Sequence, residues 1–191
     1  MKIYLLDRRR PITEYWAELF AGEKDVEVVC KDFHDFMNTT EVQCVVSPAN
    51  SYGLMDGGYD LAITDWFGTG LMKKVQERLM RDFYGEQPVG TSILVETDVK
   101  GIKLIHTPTM RVPSVIRDPM VVYHCMRSTL MLALENNIES IVIPAFGGAC
   151  GSVPADVVAD MMYKAYSQIM NPPWQISWNY AERWRTNYET Y

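Results

Sequence analysis

Short apolar segments that end in small-residue loops and then run into helices constrain the fold of this chain most. Residues 43–46 lead into a loop over 47–58, and residues 139–143 lead into a loop over 144–154. A helical pattern follows each loop. Strand, loop and helix in this order are typical of parallel sheets, because the chain must cross one face of the sheet before it can return.

The same alternation extends along the whole chain. It predicts the order strand, helix, strand, strand, helix, strand, strand, helix, strand, helix, and the helix over 59–83 is interrupted near Gly68 and Gly70. We therefore predict an α/β fold of three layers, α/β/α, with a mixed, largely parallel central sheet. A length of 191 residues is that of one ordinary domain, so we assign residues 1–191 to a single domain.

The charge and the apolar runs narrow the classes of partner and the location. A net charge of −6 argues against binding of duplex nucleic acid, which usually needs a basic face. We interpret the basic run of residues 8–10 as a solvated turn. No apolar run approaches the roughly 18 residues of a membrane span, and the N-terminal segment does not follow the charge-first order of a secretory signal. We therefore expect a cytoplasmic protein with no membrane partner.

The cysteines and histidines indicate neither a metal site nor a redox centre. The four cysteines include no C-x-x-C pair, and the three histidines show no ligand spacing. We expect no metal and no cofactor. Cys150 lies in the second loop, but a nucleophilic cysteine needs a histidine partner, and no histidine is adjacent in the sequence.

The first loop reads S-P-A-N-S-Y-G-L-M-D-G-G-Y-D over residues 47–60. The amide of Asn50 can both donate and accept hydrogen bonds. Gly57 and Gly58 allow backbone N–H groups to turn toward an anion, and the next helix begins with the positive end of its dipole. Asp60 stands at that helix start, where it either complements the dipole or contacts a ligand, and the two roles are compatible.

The second loop reads P-A-F-G-G-A-C-G-S-V-P over residues 144–154. Its small residues allow a diphosphate to approach the backbone closely. It has neither the G-K-[ST] of a P-loop nor the third glycine of G-x-G-x-x-G, which argues against nucleotide hydrolysis and dinucleotide redox chemistry. Ligands of open α/β sheets bind beyond the carboxyl ends of strands, so we predict a ligand gripped by both loops.

These segments, taken in order, resemble the macrodomain family, whose signature is N-A-A-N-S followed by G-G-G-V-D. Residues 47–51 read S-P-A-N-S, residues 53–60 read G-L-M-D-G-G-Y-D, and K-D-F over 31–33 stands where the family carries G-D-I. Residues 144–154 resemble the family's second loop. The motif-bearing core covers about residues 25–170 and leaves an aromatic tail over 174–191. The resemblance implies a macrodomain-like fold that binds ADP-ribose or a related ADP-ribosyl nucleotide.

The resemblance also implies a role for each matching position. Asp32 would accept a hydrogen bond from the adenine amino group beside the Phe33 backbone, and Asn50 would hold the distal ribose. Asp60 would lie near the ribose and the phosphates, where hydrolytic members orient a water. Phe146 would pack against a ribose or the adenine. The residues implied to line the ribose and diphosphate are Gly57, Gly58, Gly147, Gly148, Ala149, Cys150 and Gly151.

Three functions stay open at this point. The first is an enzyme that hydrolyses mono-ADP-ribosyl esters or ADP-ribose 1″-phosphate, with Asp60 and Asn50 as its catalytic residues. The second is a binding module without turnover, which is motivated by the departures from the family pattern at Ser47, Asp56 and Ala149. The third is a macrodomain scaffold that contacts a protein partner through the tail, although the aromatic spacing of the tail also predicts a helix packed on the body.

Overall fold

The structure, a computed structural model, describes residues 1–186 and 188, and their strands form one six-stranded sheet. The sheet order is β2-β1-β6-β3-β5-β4. Only the β4–β5 pair is antiparallel, so the predicted mixed, largely parallel sheet is confirmed. The strands are β1 (Lys2–Asp7), β2 (Val26–Cys30), β3 (Cys44–Ser47), β4 (Ile93–Glu96), β5 (Lys103–His106) and β6 (Ser140–Pro144).

Helices cover both faces of this sheet, as the three-layer prediction requires. One apolar cluster packs α1, α5 and α6 on one face, and a second packs α2, α3 and α4 on the other. Adjacent residues of β1 serve both clusters, since Leu5 lies in the first and Leu6 in the second. The helices are α1 (Arg10–Leu19), α2 (Phe33–Met37), α3 (Gly58–Phe67), α4 (Gly70–Phe83), α5 (Met120–Glu135), α6 (Ala155–Met170) and α7 (Trp178–Arg183).

The predicted break in the helix over 59–83 separates α3 from α4. Gly68 follows α3 with a φ of +86°, a conformation that glycine adopts without the steric cost of a Cβ atom. None of the helices that the structure describes is long and apolar enough to cross a membrane.

The neighbouring strands β3 and β6 place the two loops at one edge of the sheet. Cys44 lies opposite Ile141 and Val45 opposite Val142 in a parallel pair, so both strands deliver their loops in the same direction. The chain then continues from β3 to α3 on one face and from β6 to α6 on the other. Loops that diverge in this way leave a crevice between them, which is where open α/β sheets bind ligands.

The aromatic tail does not form the single packed helix that its spacing predicts. Its only described helix is the short α7, which buries no residue, and Trp174 and Trp178 are 94% and 84% exposed. Contact with the body comes after α7, where the Thr186 hydroxyl lies 3.0 Å from the Met120 sulfur. Residues 187 and 189–191 of the tail lie outside the described residues.

Candidate functional site

A cleft opens between the two loops at the carboxyl edge of β3 and β6. It consists of a first cavity of about 290 Å³, lined by Asn50 and Asp60 among others, and a second cavity of about 240 Å³, lined by Asp32 and Phe33 among others. The two cavities share lining residues and therefore adjoin each other. The shared residues are Pro48, Gly58, Tyr59, Ala145 and Ala149.

A wider groove of about 560 Å³ lies elsewhere, between α5, α6 and the tail. Aromatic and polar side chains of helix surfaces line this groove, and none of its lining residues belongs to either loop. Its greater volume reflects its open shape. The loop cleft carries the convergent polar groups that are typical of a ligand site.

The first loop is folded by the side chain of Asn50. The Asn50 Nδ2 donates to the Leu54 carbonyl at 2.7 Å, and its Oδ1 accepts from the N–H groups of Tyr52 and Leu54 at 3.1 and 3.3 Å. Asparagine often organises turns through such local bonds. Both lone pairs of Oδ1 are thus engaged, and the second Nδ2 hydrogen is the part of the amide that remains for a ligand.

The start of α3 presents unpaired backbone N–H groups at the cleft. The first hydrogen bond of the helix runs from the Leu61 N–H to the Gly57 carbonyl, at 3.2 Å. Within residues 1–186 and 188, the N–H groups of Gly58, Tyr59 and Asp60 have no acceptor. These three residues line the first cavity, so the positive end of the helix dipole faces it.

Asp60 is a buried carboxyl group with one close partner. Its side chain is 8% exposed and accepts a hydrogen bond from the Ser47 hydroxyl at 2.7 Å. Burial raises the pKa of Asp60 to about 7; the Ser47 hydrogen bond opposes that rise, and the nearby Asp56 charge adds to it. The Asp60 carboxyl therefore exchanges its proton near neutral pH, which suits general acid–base chemistry.

The second loop is held by close packing of its glycines. A Cβ atom on Gly151 would lie 2.5 Å from Ile116 Cδ1 and 2.6 Å from the Gly147 carbonyl oxygen, so no larger residue fits there. Gly147 itself has a φ of +70°. The Ile116 N–H donates to the Gly151 carbonyl at 2.8 Å and fastens the loop from outside the cleft.

This loop also turns unpaired N–H groups outward. In the part of the chain that the structure describes, no acceptor is found for the N–H groups of Ala149, Cys150 and Gly151. All three residues line the first cavity, opposite the start of α3. A row of unpaired backbone donors with no bulky side chain is a typical anion-binding arrangement.

Asp32 and Phe33 line the second cavity but not the first. The Asp32 carboxylate is exposed and caps α2 by accepting from the His34 N–H at 3.0 Å. The Phe33 ring is 2% exposed and packs edge-on against Tyr59, with ring centroids 5.2 Å apart. Burial of the ring leaves mainly the Phe33 backbone to border the cavity.

Two residues implied by the resemblance lie away from the cleft. Phe146 is fully buried in the cluster beneath α5 and α6, because a large apolar ring gains more from core burial than from an open loop. The expectation that its ring packs against a ligand therefore does not fit this placement. Gly148 lines a separate cavity of about 230 Å³ behind the loop and accepts from the Arg9 guanidinium through its carbonyl.

Arg9 and Tyr59 are residues of the site that the sequence reasoning missed. Arg9 binds both Asp7 and the Gly148 carbonyl, so the interpretation of residues 8–10 as a solvated turn is wrong for Arg9. Tyr59 lines both cavities, and its buried hydroxyl has no partner among the described residues. Burial, followed by the charges of Asp7, Asp60 and Asp32, raises the pKa of that hydroxyl.

A family of known proteins matches this chain. The Macro domain family matches residues 46–162, which include both loops and more than half of the chain. This chain therefore belongs to the macrodomain family. An uncharacterized protein from Aquifex aeolicus is 32% identical over 126 residues, which cover 64% of this chain and 73% of that protein. One from Aeropyrum pernix is 31% identical over 125 residues, covering 64% and 62%.

Solved macrodomain structures share the fold. The macrodomain of Mycobacterium tuberculosis DarG has a TM-score of 0.59 at 19% identity, with 69% of this chain and 85% of that chain covered. The Oceanobacillus iheyensis macrodomain with ADP has a TM-score of 0.59 at 24% identity, with 66% and 68% covered. A mutant of the latter protein with ADPR has a TM-score of 0.61 at 23% identity, with 69% and 73% covered.

Proposed function

We propose that the cleft binds ADP-ribose or a closely related ADP-ribosyl nucleotide. The observation that carries this proposal is the convergence of unpaired backbone N–H groups from two loops on one cleft, three from residues 58–60 and three from residues 149–151. Backbone donors that lack a partner favour an anion, and two facing sets favour a diphosphate held between them. Structures of the Oceanobacillus iheyensis macrodomain carry ADPR and ADP, which supports the same ligand class here.

The two adjoining cavities suit the two halves of such a ligand. We assign the distal ribose to the first cavity beside Asn50 and Asp60, and the adenosine to the second cavity beside Asp32 and Phe33. The diphosphate then lies at the shared wall, to which Gly58 at the start of α3 and Ala149 of the second loop both contribute. This orientation leaves the distal ribose next to the one buried carboxyl group that lines the first cavity.

The chemistry that we propose at this carboxyl is hydrolysis of an ADP-ribosyl ester. A water oxygen bonds to the anomeric carbon of the distal ribose while the bond from that carbon to the leaving oxygen breaks. The water proton passes to Asp60, and the electron pair departs with the leaving carboxylate or phosphate. A pKa of about 7 keeps a fraction of Asp60 ionised at neutral pH to accept that proton. The cleft contributes mainly by fixing the position of the ester.

A pair of measurements on Asp60→Asn tests binding and turnover separately. Calorimetry with ADP-ribose, and with AMP and NAD as controls, measures affinity, while product release from an ADP-ribosylated protein and from ADP-ribose 1″-phosphate measures turnover. We expect D60N to bind ADP-ribose within about threefold of the wild type and to turn over at least about 100-fold more slowly. The exposed Asp65 lies on the same helix, so Asp65→Asn is the matched control and should change neither value.

The outcomes separate the parts of the proposal. Normal turnover by D60N would remove the role assigned to Asp60, and absence of ADP-ribose binding by the wild type would remove the whole proposal. Tight binding with no product after long incubation would leave a binding module. That second candidate is favoured by Asn50, whose amide is largely engaged within its own loop.

Two further assignments concern partners and location. We propose that the exposed side chains of Trp174 and Trp178 contact a protein partner, because with the exposed Ile176 between them they place three large apolar side chains within five residues of the tail. Replacing both with serine should abolish that contact while ADP-ribose affinity is unchanged.

We also propose a cytoplasmic location, supported by Cys44 and Cys125, which are free and fully buried as small core residues. Fractionation of cells that express the protein would test the location.

A further inference from the structure

Two basic residues, Arg8 and Lys31, follow the ends of two neighbouring strands and line the second cavity. Strands β1 and β2 pair in parallel with Asp7 opposite Cys30, so Arg8 and Lys31 occupy the next positions along neighbouring strands. The Cys30 thiol donates to the Arg8 carbonyl at 3.8 Å, which shows that the two backbone segments remain close beyond the strand ends. Arg8 and Lys31 are both exposed, and both line the second cavity.

Neither of these cations has, among the described residues, a partner that would neutralise its charge. Among the described residues, no side-chain hydrogen bond or ion pair is formed by Arg8 or Lys31. Asp7 is engaged by Arg9, whose backbone N–H, Nε and Nη2 donate to its carboxylate at 2.9, 2.9 and 2.7 Å. Asp32 caps α2. Two uncommitted cations therefore border a cavity of a protein whose net charge is −6.

We infer that Arg8 and Lys31 form a subsite for a phosphate monoester on the ribose of the adenosine half of the ligand. The inference rests on the proposed function, which places adenosine in the second cavity and the diphosphate at the wall shared with the first. Besides its 5′ position, adenosine offers ribose hydroxyls and a base, and a phosphate ester on a ribose hydroxyl is the anionic form of these groups. Arginine offers a planar fork to a phosphate, and lysine adds a mobile point charge.

The charge pattern of the whole cleft supports an additional anion at this end. The unpaired backbone N–H groups belong to residues of the first cavity, and those of Gly58, Tyr59 and Ala149 lie at its boundary with the second, where the diphosphate is proposed to lie. Arg8 and Lys31 instead line only the second cavity, whereas Asp60 and Asn50 line only the first. A phosphate held by Arg8 and Lys31 is therefore a third phosphate, separate from the two of the diphosphate.

Calorimetry with matched ligand pairs tests the subsite. Each pair differs by one phosphate: AMP against adenosine 2′,5′-bisphosphate or adenosine 3′,5′-bisphosphate, and ADP-ribose against ADP-ribose 2′-phosphate. We expect one of the ribose phosphates to tighten binding by about 10-fold at about 50 mM salt, and the isomer that does so identifies the hydroxyl that faces the pair. That advantage should shrink at about 500 mM salt, since exposed charges are screened.

Charge-matched variants separate the subsite from the overall charge of the protein. In Arg8→Gln/Lys31→Gln, the advantage of the extra phosphate should fall below about twofold. Arg10→Gln/Lys24→Gln removes the same charge from exposed residues that do not line the cleft, and it should keep the full advantage. All the substituted side chains are exposed, and equal thermal midpoints would show that each variant is folded.

The failures of this inference and of the proposed function are distinct. If wild-type protein binds ADP-ribose but gains nothing from any ribose phosphate, the subsite is overturned while the proposed function stands. The subsite is equally overturned if R8Q/K31Q retains the advantage. Failure of ADP-ribose itself to bind overturns the proposed function, and the AMP pairs then still report directly on Arg8 and Lys31.

Discussion

The two loops reach the same edge of the sheet, but they are held there by opposite means. Polar side chains within or beside the first loop fix it, with the Asn50 amide bridging the loop and the Thr64 hydroxyl donating to the Met55 carbonyl at 2.8 Å. The absence of side chains at Gly147 and Gly151 lets the second loop close upon itself, and residues outside it fasten it. A different kind of substitution should therefore disrupt the conformation of each loop.

The loops also differ in charge. The first loop and the start of α3 carry Asp56 and Asp60, whereas the second loop has no acidic or basic residue. Both nevertheless offer unpaired N–H groups to the same cavity. The pH dependence of the cleft should consequently come from the first loop, and the second should supply binding that does not vary with protonation of a carboxyl group.

The largest effect that we expect is a pH-dependent stability difference caused by Asp60. Its pKa is raised from 3.8 in an open chain to about 7 in the folded protein. Below a pH of about 4, the Asp60 carboxyl is protonated in both the folded and the unfolded protein, and it costs no stability. As the pH rises from there through about 7, the carboxyl ionises more readily in the unfolded chain, so the free energy of unfolding falls. Relative to the wild type, Asp60→Asn should therefore gain unfolding free energy, by up to roughly 4 kcal/mol between pH of about 4 and 8.

Urea unfolding at several pH values measures this difference. Asp65 is exposed on the same helix, so the Asp65→Asn control should have the same free energy of unfolding as the wild type at every pH. If the difference between D60N and the wild type does not change with pH, the burial of Asp60 does not govern its protonation.

The next largest effect should come from Gly151→Ala in the second loop. The added methyl group would meet the Gly147 carbonyl oxygen at 2.6 Å, and a backbone atom cannot move aside without distorting the loop. We expect the affinity for ADP-ribose to fall by about 100-fold, as calorimetry would measure. In the first loop, the Cβ atom of Gly57→Ala meets no atom within 4 Å, so G57A should lower the thermal midpoint much less than G151A does. Equal effects of G151A and G57A on the midpoint would erase the contrast between the loops.

A smaller effect should follow from Asn50→Ala, which removes the side chain that folds the first loop. Three partly exposed hydrogen bonds are lost, so we expect the free energy of unfolding to drop by about 2 kcal/mol. Asn38→Ala is the control, because Asn38 is exposed and its side chain makes no hydrogen bond among the described residues. An N50A protein as stable as N38A would mean that polar side chains do not hold the first loop.

The sheet and its helices could be predicted from the sequence because their signals are local. Apolar strands that end in small residues, and a glycine break at Gly68, depend on residues close together in the chain. The predicted strands join one sheet in the mixed, largely parallel arrangement. The prediction for the tail was wrong, since aromatic spacing alone does not reveal whether a surface is available to cover Trp174 and Trp178.

Parts of the candidate site could not be predicted, because they depend on contacts between distant segments. Arg9 reaches Gly148 across 139 residues of sequence, and no pattern around Arg9 distinguishes it from its exposed neighbours. The hydrogen bond between Ser47 and Asp60 likewise requires that β3 and α3 be brought together. Phe146 shows the reverse case, in which a residue inside a loop motif turns into the core.

A heteronuclear NMR titration with ADP-ribose tests whether unpaired N–H groups of both loops bind one ligand. We expect the amide signals of residues 58–60 and of residues 149–151 to move together and to yield one dissociation constant. Shifts confined to one loop, shifts confined to the groove beside α7, or no shifts at all would contradict it.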